Sequence, residues 1–89
     1  MKSRYKFEIM NLDDGLVAVP VGEGAQQFQG VLKVNETAMA ILKMLENDIT
    51  EEEIVDNLLI EYTGDREQIS VLVHEYLDKL LSEDVIVNK

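Results

Sequence analysis

The chain has 89 residues, 46% of them hydrophobic, enough for one modest core. It has no cysteine, which excludes disulfides and thiolate metal sites. No apolar run approaches the roughly 20 residues that a membrane-spanning helix needs, and the N-terminus is too polar for a signal peptide. The formal net charge of −10 disfavours contact with phosphate backbones. We therefore expect a cytoplasmic protein that binds neither membrane nor nucleic acid.

Three segments in the first part of the chain have the pattern of strands. Residues 5–10 and 26–34 alternate apolar and polar side chains, and residues 16–21 are rich in valine. Asp13-Asp14-Gly15 and Gly22-Glu23-Gly24 are turn signals between them. Pro20 lacks an N–H, so we expect it near the end of its strand. The pattern predicts a β-meander in which the third strand is an edge.

Three amphipathic helices are predicted next. Asn35, Thr50 and Asp65 are good N-cap residues, and Thr50 with Glu53 has the spacing of a capping box. Gly64 is expected to end the second helix as its C′ residue, and residues 85–87 are expected to form a short strand. The apolar stripes are Ala38, Ile41, Leu42 and Leu45; then Ile54, Leu58 and Tyr62; then Ile69, Val73, Tyr76, Leu77 and Leu80. The sequence thus predicts an α+β fold with an N-terminal three-stranded antiparallel β-meander, three α-helices and a short C-terminal strand.

The sequence offers no constellation of residues typical of an active site. His74 is the only histidine, and helical spacing places it off the apolar stripe, so we expect a solvated surface position. Glu51, Glu52 and Glu53 occupy consecutive helical positions and point in different directions, which is unsuitable for calcium. We expect no enzymatic activity, no metal site and no cofactor.

A binding surface is the remaining interpretation. An edge strand displays unpaired N–H and C=O groups, and residues 26–33 contain no proline and one charge to protect them from pairing with another chain. The third helix has a wide apolar arc, because Leu72 and Leu81 flank its core stripe. If this helix lies beside the third strand, the two form a groove. Alternatively, Leu72 and Leu81 pack against the neighbouring helices.

Three groups of residues also carry a resemblance to a known family. They are Val34-Asn35-Glu36-Thr37-Ala38 leading to Ile41 and Leu45; Thr50-Glu51-Glu52-Glu53-Ile54 with Leu58 and Tyr62; and Val73, Tyr76-Leu77 and Leu80 before Val85-Ile86. In order and spacing they resemble the PqqD family, the leader-peptide chaperones also called RiPP recognition elements. The resemblance covers about residues 16–87. Each motif is also ordinary helix punctuation, so their order and spacing carry the similarity.

The resemblance implies a winged-helix-like fold and a single peptide-binding domain over residues 1–89. Such a domain is a non-catalytic chaperone that captures the leader of a ribosomally made precursor peptide by β-strand addition. It then presents the peptide to a modifying enzyme, often of the radical-SAM class. Carried onto this chain, the implied peptide-binding residues are Phe28, Gln29, Gly30, Val31, Leu32 and Lys33 on the strand, and Leu72, Tyr76 and Lys79 on the third helix.

Two positions depart from the family pattern. Many members have an acidic residue where Leu72 stands, so an apolar contact would replace a charged one. Asp84 stands where glycine is usual before the last strand, although aspartate tolerates a left-handed turn.

A winged-helix domain that binds nucleic acid or regulates transcription is the alternative, since three helices with a β-wing also suit that role. The third helix offers Arg66 and Lys79 as cations. Five acidic residues oppose them: Asp65, Glu67, Glu75, Asp78 and Glu83. The exposed strand edge is compatible with a monomer or a weak homodimer.

Overall fold

The computed structural model describes residues 1–22 and 31–87. In chain order the elements are β1 (Lys2–Ser3), β2 (Lys6–Leu12), β3 (Gly15–Val21), β4 (Leu32–Val34), α1 (Glu36–Met44), α2 (Glu51–Glu61), α3 (Arg66–Ser82) and β5 (Ile86–Val87). Strands β2, β3 and β4 form an antiparallel sheet in that order, and β1 pairs with β5. The predicted α+β fold, with a meander, three helices and a final strand, is confirmed.

The β2–β3 hairpin forms where the turn signal predicted it. Leu12 pairs with Gly15 across the two aspartates, and Gly15 has a φ of 124°, a backbone conformation that glycine adopts without steric cost. Pro20 is the last residue but one of β3, as expected. The predicted third strand began at residue 26, but residues 26–30 lie outside the described residues. Within those described, the strand starts at Leu32, and Val31 precedes it.

Side-chain caps start each helix at the predicted residue. The Oδ1 atom of Asn35 accepts a hydrogen bond from the Ala38 N–H at 2.8 Å. Thr50 and Glu53 form the predicted capping box, with reciprocal hydrogen bonds of 3.1 and 3.0 Å. At α3 the Asp65 carboxylate accepts from the Glu67 N–H at 3.1 Å. These contacts satisfy backbone donors that a helix N-terminus otherwise leaves without partners.

The predicted role of Gly64 is wrong. The C-cap of α2 is Tyr62, in an extended conformation, and the positive-φ glycines of the described chain are Gly15 and Gly22. A Cβ atom at position 64 would lie 3.2 Å from Cδ1 of Ile69. The Ile69 side chain therefore packs closely against position 64, and this contact favours glycine, which has no Cβ atom.

The core lies between the three helices and the inner face of the meander. Its fully buried side chains come from every predicted stripe, while Ile69 and Tyr76 are half-buried at its margin. Within the described residues, all buried side chains are apolar. The core consists of Ala18, Ile41, Leu42, Leu45, Ile54, Val55, Leu58, Val73, Leu77, Leu80, Val85 and Ile86.

The pairing of β1 with β5 was not predicted. The Arg4 N–H continues this pairing with a hydrogen bond of 2.8 Å to the Val85 carbonyl, and the Ser3 N–H joins β1 to the end of α1 with one of 2.9 Å to the Leu45 carbonyl. Asp84 turns the chain from α3 into β5 with a φ of 64°, the left-handed conformation expected at this position. Its carboxylate lies 3.3 Å from the Arg4 guanidinium.

Candidate functional site

The length of the β2–β3 loop determines the hydrogen-bonding pattern of the whole sheet. A two-residue loop closes on a pair that exchanges hydrogen bonds, here Leu12 and Gly15. Hydrogen-bonded and non-hydrogen-bonded pairs then alternate along the hairpin. Met10 and Val17 therefore form the next hydrogen-bonded pair, so the backbone groups of Val17 face β2 and not β4.

The same alternation assigns the backbone groups of β4. The partners of β4 are Leu16 with Val34, Val17 with Lys33 and Ala18 with Leu32. Because the Val17 groups face β2, Leu32 and Val34 are the β4 residues hydrogen-bonded to β3. The N–H and C=O of Lys33 point away from the sheet, and in residues 1–22 and 31–87 no strand pairs with this side of β4. This is an open edge with a donor and an acceptor on one residue.

A groove of about 340 Å³ lies beside this edge. We call it the β4–α3 groove. Ala38 and Ile41 of α1 and Leu72 and Tyr76 of α3 supply its apolar lining, and charged or polar groups border it. The lining residues are Lys33, Asn35, Thr37, Ala38, Ile41, Leu72, Glu75 and Tyr76.

The helix-side residues named from the family resemblance have different positions relative to this groove. Leu72 and Tyr76 line it, and Leu72 is 51% exposed, so it does not pack away against a neighbouring helix. Leu81, in contrast, packs against the core. Lys79 is exposed one turn beyond Tyr76 and is not among the lining residues.

The strand-side residues divide similarly. Lys33 borders the groove, Leu32 packs inward against the core, and Val31 is exposed just before β4. Phe28, Gln29 and Gly30 lie outside the described residues. The described structure thus brings together Lys33, Leu72 and Tyr76 from two distant parts of the chain.

The contribution of α1 to the groove was missed from the sequence. From the sequence, Asn35 was assigned to helix capping, Ala38 and Ile41 to the core, and Thr37 only to the motif that carries the family resemblance. A signal was present: α1 begins two residues after β4, so its first turn must lie next to the strand edge. The short connection makes the N-terminus of α1 one end of the groove.

One acidic side chain and one half-buried phenol characterise the groove. Glu75 borders it on the helix side, and Lys33 borders it on the strand side, where the register directs the Lys33 side chain to the opposite face of the sheet. Burial raises the pKa of the Tyr76 hydroxyl, and the charge of Glu83 adds to this effect. Tyr76 is therefore neutral at physiological pH and presents an apolar ring with a polar tip.

His74 lies on α3 outside this groove and is exposed, as predicted. Its Nδ1 atom lies 3.2 Å from a Glu51 carboxylate oxygen, and its Nε2 atom lies 3.4 Å from Asp78. The hydrogen bond to Glu51, followed by the charge of Asp78, raises the pKa of His74 above its ordinary value. Across the described ranges, no group of three or more His, Cys, Asp or Glu side chains could hold a metal ion, and no helix could span a bilayer.

Comparison with known proteins gives one family and one solved structure. The model of the family described as coenzyme PQQ synthesis protein D (PqqD) matches residues 9–86. No curated protein sequence matches the chain. The chain is similar in structure to TbiB1, solved in complex with the TbiA(beta) leader peptide, with a TM-score of 0.71 and 22% identity over 100% of this chain and 98% of that one. This likeness shows that the two proteins share a fold.

Proposed function

This chain belongs to the PqqD family, and from that membership we propose that it is a non-catalytic domain that binds the leader segment of a ribosomally made precursor peptide. The observation that carries the proposal is the open edge of β4 beside the β4–α3 groove. TbiB1, which has a similar fold, is described in complex with a leader peptide. We assign the role to one domain that spans residues 1–89.

Strand addition to β4 is the binding mode that fits the edge. An extended peptide can accept a hydrogen bond from the Lys33 N–H and donate one to the Lys33 C=O, which continues the sheet by one strand. Val31 is two residues earlier and has the same orientation if the strand pattern continues through it. We propose Val31 and Lys33 as the backbone contacts, and Phe28, Gln29, Gly30 and Leu32 as further parts of the strand wall.

The groove would give side-chain selectivity to this backbone pairing. A strand added to β4 has every second side chain on the helix side of the sheet, where Leu72, Tyr76, Ala38 and Ile41 offer apolar contact. We propose that apolar side chains of the leader enter the groove, and that Lys79 contacts the leader one helical turn beyond Tyr76. The contact is small, so we expect affinity in roughly the micromolar range.

A second protein completes the proposed function. We propose that the domain presents the bound precursor to a modifying enzyme of the radical-SAM class, as the family resemblance implies. Leader binding by the domain and chemistry by the enzyme would then be separate tasks. The domain itself would need no cofactor and would act as a monomer or a weak homodimer.

The charges on α3 disfavour the nucleic-acid alternative. Arg66 Nη1 lies 2.7 Å from an Asp56 carboxylate oxygen, so one of the two cations of α3 is already paired. The exposed side of the helix carries Glu67, Glu75 and Asp78. A recognition helix needs uncompensated cations toward the phosphates, and duplex DNA at low salt is therefore the appropriate negative control.

The proposal is tested by titrating the ¹⁵N-labelled domain with the leader peptide of the precursor encoded beside its gene. We expect amide shifts in residues 31–34 and 72–80 and little change in α2. Duplex DNA at low salt should leave the spectrum unchanged. Unmoved signals in both segments at saturating peptide would reject leader binding at this groove.

A further inference from the structure

The face of the meander that turns away from the helices is unusually apolar. One-sided antiparallel sheets ordinarily place polar side chains on the solvent face. Here the alternation of side chains and the register of the strands place six apolar residues on one outer face: Met10 and Leu12 of β2, Val17, Val19 and Val21 of β3, and Val31 just before β4. We call this set the outer face.

Half of the outer face is accessible at its margins, whereas Val19 and Val21 are half-buried and Val17 is buried, at 9% exposure. Met10 is 48% exposed, Leu12 is 49% exposed and Val31 is 53% exposed. At the hairpin end, a recess of about 260 Å³ lies at the margin of this face, bordered by Leu12, Asp14, Gly15, Leu16, Val17, Lys33 and Val34. An apolar patch with a recess is the form that anchor sites take in protein interfaces.

The charges around the outer face differ from those of the whole chain. Lys6, Glu8 and Lys33 have the same orientation as the apolar set, Asp14 borders the recess at the hairpin end, and all four are exposed. These residues balance one another on a chain whose net charge is −10. The outer face can therefore approach a neutral or basic surface, whereas two copies of the whole chain repel each other.

The size of the outer face also argues against a second copy as its partner. The described sheet has two strands of seven residues and one of three, so at ~4.8 Å between strands and ~3.3 Å per residue it covers about 270 Å² in projection. A standard interface buries about 800 Å² on each partner. Face-to-face pairing of two acidic copies would lack both the area and the electrostatic attraction of a stable dimer.

We propose that the outer face docks the enzyme that modifies the bound precursor, through an apolar surface of that enzyme without excess negative charge. This inference rests on the proposed leader binding. A leader strand on β4 would extend the same sheet. A precursor whose leader lies in the groove and whose core lies in the active site of the enzyme would tether the enzyme to the domain. Tethering makes docking an intramolecular step, so a small face suffices.

The occupant is identified by placing a photo-crosslinking benzoylphenylalanine at Met10 of the full chain in the producing cells. The control carries the same group at Ile60, which is 82% exposed on α2. We expect an adduct with the precursor-modifying enzyme at position 10 and not at position 60. An adduct with a second copy, an adduct with a protein of another class, or no adduct at position 10 would each overturn the proposal.

A second experiment separates docking from leader binding. With the purified enzyme, Leu12→Glu or Met10→Glu should slow modification of the full precursor about tenfold, while Ile60→Glu should not. Leader affinity, measured by fluorescence anisotropy, should stay unchanged in all three folded variants. Unchanged modification, or a parallel loss of leader affinity, would refute docking at the outer face. A wild-type domain that binds no leader would refute the proposed function, and this inference with it.

Discussion

Replacing Lys33 by proline should weaken leader binding while leaving the fold intact. The hydrogen-bond alternation derived from the Leu12–Gly15 pair directs the Lys33 N–H outward, so proline at this position removes a donor to the peptide and no donor to β3. Lys33→Ala is the matched control because it removes the same ammonium group and keeps the N–H. The comparison therefore isolates one backbone hydrogen bond.

The expected size of this effect follows from the net value of a single hydrogen bond. A loss of about 0.5–1.5 kcal/mol corresponds to leader binding roughly 2- to 12-fold weaker for Lys33→Pro than for Lys33→Ala. The free energies of unfolding of these two variants should agree within about 1 kcal/mol. Leu32→Pro removes a donor to β3 and should destabilise the domain by at least about 2 kcal/mol.

Fluorescence anisotropy with a labelled leader peptide gives the affinities, and urea unfolding followed by circular dichroism gives the stabilities. Equal leader affinities for Lys33→Pro and Lys33→Ala would refute strand addition at Lys33. A large loss of stability for Lys33→Pro together with a stable Leu32→Pro variant would refute the assigned orientation of β4.

Three further predictions concern the groove, the last turn and pH. Leu72→Ala should weaken leader binding about tenfold in the anisotropy assay. Ile60→Ala changes another exposed apolar site and should leave the affinity unchanged. Equal losses in the two variants would argue against leader binding in the β4–α3 groove. Asp84→Gly should raise the free energy of unfolding in urea by up to about 1 kcal/mol, because glycine adopts the φ of 64° without strain, and a destabilised variant would contradict this. The hydrogen bond to Glu51 raises the pKa of His74 above its ordinary value of 6.5 in the folded state, so protonated His74 stabilises the fold. This contribution to the free energy of unfolding is fully present below pH 6.5 and is lost as the pH rises through the folded-state pKa. Thermal melts between pH 5 and 9 should show this loss in the wild type and not in His74→Gln.

The local parts of this structure could be predicted because their signals lie within a few residues. The Asp13-Asp14-Gly15 turn, the Asn35 cap and the Thr50–Glu53 capping box each depend on neighbouring atoms, and all three occur as expected. The φ of Asp84 was anticipated from a glycine position in related sequences. These features required no knowledge of the tertiary structure.

The remaining parts depend on contacts between distant residues. Strands β1 and β5 have two residues each and pair across almost the whole chain, so neither carries a periodic signal of its own. Gly64 was misassigned because the reason for glycine there is the side chain of Ile69, which sequence spacing does not reveal. In the groove, Leu72 and Tyr76 could be named from their helical position, but the part played by α1 appears only when β4 is placed beside it.

Amide hydrogen exchange at Lys33 is the most direct test of the proposed leader binding. In the free domain this N–H faces solvent and should exchange quickly, whereas the Leu32 and Val34 amides are hydrogen-bonded to β3. Saturating leader peptide should slow exchange at Lys33 to a rate close to that of its neighbours. Rapid exchange at Lys33 in the saturated complex would show that no peptide strand pairs with β4.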